Sequence, residues 1–375
     1  MIAKIPQIFK SKKTNALTSG FQSDCMSKEE KIKNFNPNGV GLNNGHFIGL
    51  PFEEKEAEII LLPVTWDVTA SSGKGTALGP QKMLAVSTQI DLYDPYVKDA
   101  WKLGVYMLPV EEEWIRKNED LRRKSDDYIS FIENGGNIEK NKTQKKVLEE
   151  INNKCEALKS TVYNTCNHYF SQNKLVGLVG GEHSVPLGYL EALAVKYSDF
   201  GILQIDAHMD LRKAYEGFNY SHASIFYNVS KIESVTKIVQ VGIRDFCEEE
   251  FEFVKNSNGL IKSFFDHEIA EQLYKGVFYR QICTQIIQYL PQNVYISFDI
   301  DGLEPSLCPN TGTPVPGGLD FNQALYLIKL IVESGKTIIG FDLCEVNGEN
   351  DWDANVGARL LYRISNLMGK SNGKI

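Results

Sequence analysis

From residue 59 onward the chain alternates short, unbroken apolar runs with longer stretches whose apolar residues recur at helical spacing. The runs at 59–64, 175–179, 201–205, 237–241, 294–298 and 337–343 are rich in Val, Ile and Leu and show no in–out alternation. That pattern predicts strands covered on both faces, hence a largely parallel sheet flanked by helices in an α/β fold. Parallel strands need crossover helices, and 184–197, 268–289 and 322–334 have the length and periodicity to supply them.

Two segments break the pattern. Residues 1–45 are polar and rich in Asn and Lys, an N-terminal extension to a domain at 46–375. Its first part has neither the apolar core of a secretory signal nor the arginines of a transit peptide; a disordered tail is expected, with Met26 as an alternative start. Residues 111–173 hold two charged helical stretches separated by "NGGNIEKNK", which predicts a surface helical hairpin with solvated charges and one apolar stripe.

Composition narrows the function. A net charge of -8 leaves no basic footprint for nucleic acid, and no apolar run approaches the roughly 20 residues of a membrane span. The seven cysteines are scattered without a CxxC pair, which fits buried free thiols in a reducing, cytoplasmic compartment.

The chemistry is concentrated where three apolar runs end. "LQIDAHMDLR" (203–212) places Asp206, His208 and Asp210 at alternate positions, which in a strand share one face. In a straight strand Asp206 and Asp210 stand about 13 Å apart, at roughly 3.3 Å per residue, too far for one ion. The chain must therefore curl after Asp206, or the residues serve more than one ion. "KLVGLVGGEHS" ends in Gly180 and Gly181, then Glu182 and His183; "NVYISFDIDGLEPS" puts Ser297, Asp299 and Asp301 opposite Val294, Ile296, Phe298 and Ile300. Four carboxylates at one sheet edge would repel one another, and two divalent cations would cancel their charge. Oxygen-rich ligation with two imidazoles suits manganese first, with nickel among the alternatives.

"GGEHS", "DAHMD" and "SFDIDGLEPS" together resemble the ureohydrolases, the family of arginase, agmatinase, formiminoglutamase and guanidine hydrolase. "WDVTASSGKGTALGP" (66–80), "TGTPVPGGL" (311–319) and "GFDLCEVN" (340–347) extend the likeness over 45–375, apart from the hairpin. The resemblance implies an arginase-like three-layer α/β/α sandwich and a homo-oligomer, trimer or hexamer. It implies His183 and Asp210 on one metal ion, His208 and Asp301 on a second, and Asp206 and Asp299 bridging. It further implies that water activated between the ions attacks a guanidino carbon, Asp210 takes its proton, Glu345 pairs with the guanidinium and His222 shuttles protons. A one-zinc deacetylase-like hydrolase would need neither His183 nor the pair of Asp210 and Asp301, and a catalytically silent, partner-binding relative would have lost ligands; all six are present here.

The substrate is harder to read. Arg212 stands where arginases carry Asn and formiminoglutamases Arg; a fixed cation there suits a cationic tail only if it is paired, by Asp245 or Glu216. The "WDVT" loop and the N-terminal extension resemble guanidine hydrolases, so Thr69 and Trp66 are expected to line a small pocket. The expectation is an agmatinase-like hydrolase of a small guanidino compound, with guanidine hydrolase as the alternative and formiminoglutamase or arginase behind it. Neither nucleic acid nor membrane is expected as a partner.

Overall fold

The computed structural model describes residues 26–375; the disordered tail expected before Met26 lies outside them. Eight strands form one sheet: β1 Ile59–Val64, β2 Val105–Met107, β3 Leu175–Gly180, β4 Phe200–Ile205, β5 Val235–Ile243, β6 Ile261–Phe265, β7 Asn293–Asp299 and β8 Thr337–Cys344. Their order is β2-β1-β3-β8-β7-β4-β5-β6, and every pairing is parallel. The six runs read from the sequence are the six interior strands. The two it missed, β2 and β6, are the edges. An edge strand is bonded on one side only, so it can be short or carry polar residues: β2 has three residues, and β6 exposes Lys262.

Helices cover both faces, which gives three layers. One apolar cluster joins Ile59, Leu61, Leu203, Ile296 and Phe298 of the sheet to helices Gly79–Val86, Tyr279–Ile287, Phe321–Glu333 and Asp351–Ser371. The other joins Ile60, Leu62, Val176, Leu178 and Ile202 to helix Leu187–Lys196 and to the hairpin helices Glu112–Glu133 and Lys142–Ser171. The hairpin's stripe (Leu121, Tyr128, Ile129, Ile151, Cys155, Leu158, Val162) thus belongs to the core of one face. The crossover expected at 268–289 is two helices, Asp266–Tyr274 and Tyr279–Ile287, parted at Gly276.

The described part of the N-terminal extension is docked on the domain. Helix Lys28–Asn34 begins with a capping box between Ser27 and Glu30; Lys31 pairs with Glu56 at 2.6 Å, and Phe35 packs against Trp101. Among the described residues six cysteines are free, five of them buried, and no helix is long and apolar enough to cross a membrane.

Candidate metal centre

The middle of the sheet runs β3, β8, β7, β4, and the carboxyl ends of these four neighbours lie side by side. Each expected metal ligand leaves from one of them, as does Glu345 after β8. This is the edge of a parallel sheet where ligands bind in α/β folds.

Beyond β3, the N–H groups of Gly181 and Glu182 donate to Val64 O (2.9 Å) and Trp66 O (2.8 Å), lacing this turn to the chain after β1. A Cβ on Gly181 would lie 2.1 Å from Trp66 O, so only glycine permits the approach that turns His183 inward. Beyond β4 the chain curls, one of the two alternatives that the straight-strand distance left open. Asp210 takes φ 54°, a left-handed backbone few non-glycine residues adopt. The curl brings Asp206 Oδ2 and Asp210 Oδ2 each to 3.1 Å from His183 Nδ1. Beyond β7, Asp299 Oδ1 accepts the Asp301 N–H (2.9 Å) across a short turn, and Asp301 Oδ1 accepts the Ala207 N–H (3.0 Å).

All six residues meet in one place. His183 Nδ1 lies 3.4 Å from Asp299 Oδ2; His208 Nδ1 lies 3.1 Å from Asp301 Oδ2 and 3.6 Å from Asp206 Oδ1. Asp206 thus faces one imidazole with each of its oxygens. Donor atoms lie within 4.8 Å of one another in the trio His183, Asp206, Asp299 and again in the trio Asp206, His208, Asp301.

The donors fit a pair of divalent ions. His183 Nδ1 is buried and, although surrounded by carboxylate oxygens, makes no hydrogen bond. Its other nitrogen, Nε2, lies 2.9 Å from Ser297 Oγ, whose hydroxyl donates to Asp342 Oδ2 at 2.8 Å. Nε2 thus has its own partner and Nδ1 faces three carboxylates, which against burial raise His183 well above its ordinary value; a metal ion bound there would take the place of that proton. The protein's own charges tell the same story. Burial raises Asp299 well above the carboxylate range and, with Asp206 beside it, Asp210 to about 7. Burial would also raise Asp206, but His183 and His208 outweigh it and hold it below the usual value. Against burial, Asp301 and Asp206 drive His208 up to about 12. A pair of divalent cations would compensate these carboxylates in place of protons.

Sequence reasoning missed the partners behind the ligands. Gln204 donates to Asp206 Oδ2 (2.8 Å) and His208 O (3.1 Å), Gln240 donates to Gln204, and Ser263 donates to Gln240, a buried polar row across three strands. Their signal was there: Gln204 and Gln240 interrupt otherwise apolar runs.

Above the centre lies a cavity of about 160 Å³, lined by Glu345, Ser71, His222, Arg212, Tyr215 and Phe246 among others. Glu345 sits at its floor with φ 61°; burial and neighbouring Glu182 push its pKa well above the usual range. One Glu345 oxygen accepts the His183 N–H at 2.9 Å. His222 Nε2 accepts the Ser71 N–H (3.3 Å) and faces its hydroxyl (3.2 Å). Burial, then His208 and His183, press the pKa of His222 down to about 3.

Two expected pocket residues are elsewhere. Trp66 is fully buried and meets Trp114 of the hairpin edge-on, with ring centres 5.9 Å apart; the turn after β1 aims it at that helical layer. Thr69 is also fully buried. Its hydroxyl donates to Glu182 Oε1 (2.8 Å) and accepts the His222 N–H (3.2 Å), so it braces the wall without lining the cavity. Arg212 does line the cavity, but its carboxylate partner is Glu250, at 3.7 Å from Nε, in place of Asp245 or Glu216; its guanidinium lies over the Tyr215 ring at 4.9 Å.

Sheet order, ligand set and cavity together define the class: an α/β protein built to hold metal ions under a small polar pocket. The family model described as "Arginase family" matches residues 57–366, and the chain belongs to that family. It is 29% identical over 324 residues to an N(1)-aminopropylagmatine ureohydrolase of Thermus thermophilus, covering 86% of this chain and 94% of that protein. It is 27% identical over 299 residues to the agmatinase of Bacillus anthracis, covering 79% and 84%. Among solved structures, the agmatine ureohydrolase of Thermoplasma volcanium superposes with a TM-score of 0.66 at 20% identity, covering 89% of this chain and 97% of that one. The arginase of Medicago truncatula gives 0.61 at 21%, covering 84% and 87%. At these identities the structural likeness concerns the fold.

Proposed function

We propose that the protein is an agmatinase-like ureohydrolase, a metal-dependent enzyme that hydrolyses a guanidino C–N bond; agmatine would give putrescine and urea. The observation that carries this reading is the convergence of six ligand side chains directly beneath a cavity whose floor is Glu345. His183 and Asp210 would hold one ion, His208 and Asp301 the other, with Asp206 and Asp299 shared. Manganese is the first choice and nickel the alternative. When bound, such a pair cancels the carboxylate charge, polarises the substrate and makes water acidic enough to act near neutral pH.

The chain's own groups do the rest. Glu345 lines the cavity floor, where its carboxylate can pair with a guanidinium, so it selects a planar cation. Asp210 stands beside His183 at the cavity floor, where its carboxylate can take the proton of the attacking water. As the C–N bond breaks, the amine takes a proton and urea departs. Neutral His222 and Ser71 form one wall and offer hydrogen bonds without adding charge beside the guanidinium. The reading includes a cytoplasmic homo-oligomer, trimer or hexamer.

One observation favours guanidine itself as a second reading. The cavity, at about 160 Å³, is small, which favours a compact guanidino compound over one with a long tail. Protein loaded with manganese or nickel should release urea from agmatine or from guanidine; arginine and formiminoglutamate complete the panel. Neither urea nor formamide from any of the four would overturn the proposal.

A further inference from the structure

We propose that Arg122, on the hairpin helix Glu112–Glu133, is a positioning residue: it holds loop 67–73 so that Ser71 meets His222 across the substrate cavity. This rests on the reading of that cavity given above.

Asp67, Val68, Thr69 and Ala70 are buried, but Ser71, Ser72 and Gly73 border an open cleft of about 420 Å³ that they share with Arg122 and Asp126. Between residues 65–78 and the hairpin helix lies a second cavity, of about 510 Å³, lined by Thr65, Ala77, Leu78, Ile115 and Asn118 among others. Where side chains do not fill the space behind a loop, polar ties must fix it. Arg122 supplies them. Its Nη1 donates to Asp67 O (2.7 Å) and Ala70 O (2.5 Å), and Nη2 reaches Gly73 O (3.4 Å). Asp126, one turn on, pairs with it at 3.1 Å, and only 12% of the side chain is exposed. A planar guanidinium with several fixed donors can collect three carbonyls at once, as a lysine ammonium on its flexible stem cannot. Asn118 of the same helix exchanges two hydrogen bonds with Asp67, at 2.8 and 2.9 Å.

The hairpin holds the opposite wall as well. Tyr128 donates to Glu216 O (2.8 Å), Asn152 donates to Gly217 O (3.2 Å) and accepts the Asn219 N–H (2.7 Å). Gly217 has φ 86°, and a Cβ there would stand 3.0 Å from the Tyr128 hydroxyl, so the approach depends on glycine. The two walls touch where Ser71 meets His222, and where Thr69 meets the His222 N–H. An element remote from the metal ligands thus sets the width of the pocket above them, and Arg122 is its main tie to the first wall.

Arg122→Met should lower kcat/KM for the guanidino substrate by about ten- to a hundredfold, the scale of a displaced binding group, with bound metal unchanged. Arg122→Lys should recover part of the loss. Ser71→Ala in the Arg122→Met background should cost almost nothing further, because Arg122 acts through Ser71; a purely structural role would give additive losses. Amide hydrogen exchange over 66–75 should quicken about tenfold in Arg122→Met while 293–299 keeps its protection. Unchanged loop exchange, or additive losses in the double variant, would overturn the proposal. The exchange measurement needs no turnover, so if the wild type released urea from no guanidino compound, exchange alone would decide for or against Arg122.

Discussion

The floor and the mouth of the pocket are built by opposite means. Floor residues leave the ends of four adjacent strands, are almost wholly buried except for His208, and are tied to one another or to backbone: Asp206 to the His208 N–H at 2.7 Å, Asp301 to the Ala207 N–H at 3.0 Å, Glu345 to the His183 N–H at 2.9 Å. Mouth residues sit on loops and helix starts. The Arg212 side chain is 40% exposed and that of Asp245 69%. Buried charge with fixed partners suits chemistry that must not vary, whereas exposed charge on loops can be exchanged to admit another tail. On the proposed reading, the reaction is written in the sheet and the choice of substrate in the loops.

The contrast predicts a descending series of effects. Asp206→Asn removes the charge that both imidazoles face; urea release should fall by about a thousandfold or more, and metal analysis should find less bound ion, as should chelator treatment of the wild type. Glu345→Gln keeps the shape of the floor but not its charge, and should cost about a hundredfold in kcat/KM with metal content intact. Ser297→Ala frees His183 Nε2 and should weaken metal binding by about ten- to a hundredfold in a competition titration. At the mouth, Arg212→Gln should raise agmatine turnover relative to guanidine by less than about tenfold, and added salt should shrink the difference. An Arg212 effect as large as that of Glu345 would erase the distinction between floor and mouth.

What could be read beforehand follows the same division. Interior strands announce themselves because they are apolar on both faces, and an Asp or His at the end of such a run stands out. The curl at Asp210 lay beyond reach: strand geometry asked for a curl or for more than one ion, and could not give the backbone conformation. The edge strands were hidden because the cost of leaving the apolar pattern is low there. At the mouth, loop residues point where packing sends them. Trp66 turns to the hairpin and Thr69 to Glu182, and nothing in "WDVT" records either direction. Arg212 finds Glu250 because the helix Glu248–Lys255 starts beside it in space, which no local pattern encodes.

Asp210 and Glu345 share a property with a cost. Both hold a left-handed backbone that glycine would adopt freely, and at each a non-glycine side chain forfeits about 1 kcal/mol. Selection for durability alone would put glycine at both places and silence the enzyme. The thermal midpoint of an Asp210→Gly variant, compared with the metal-free parent, would measure how much toughness this chain gives up in order to react.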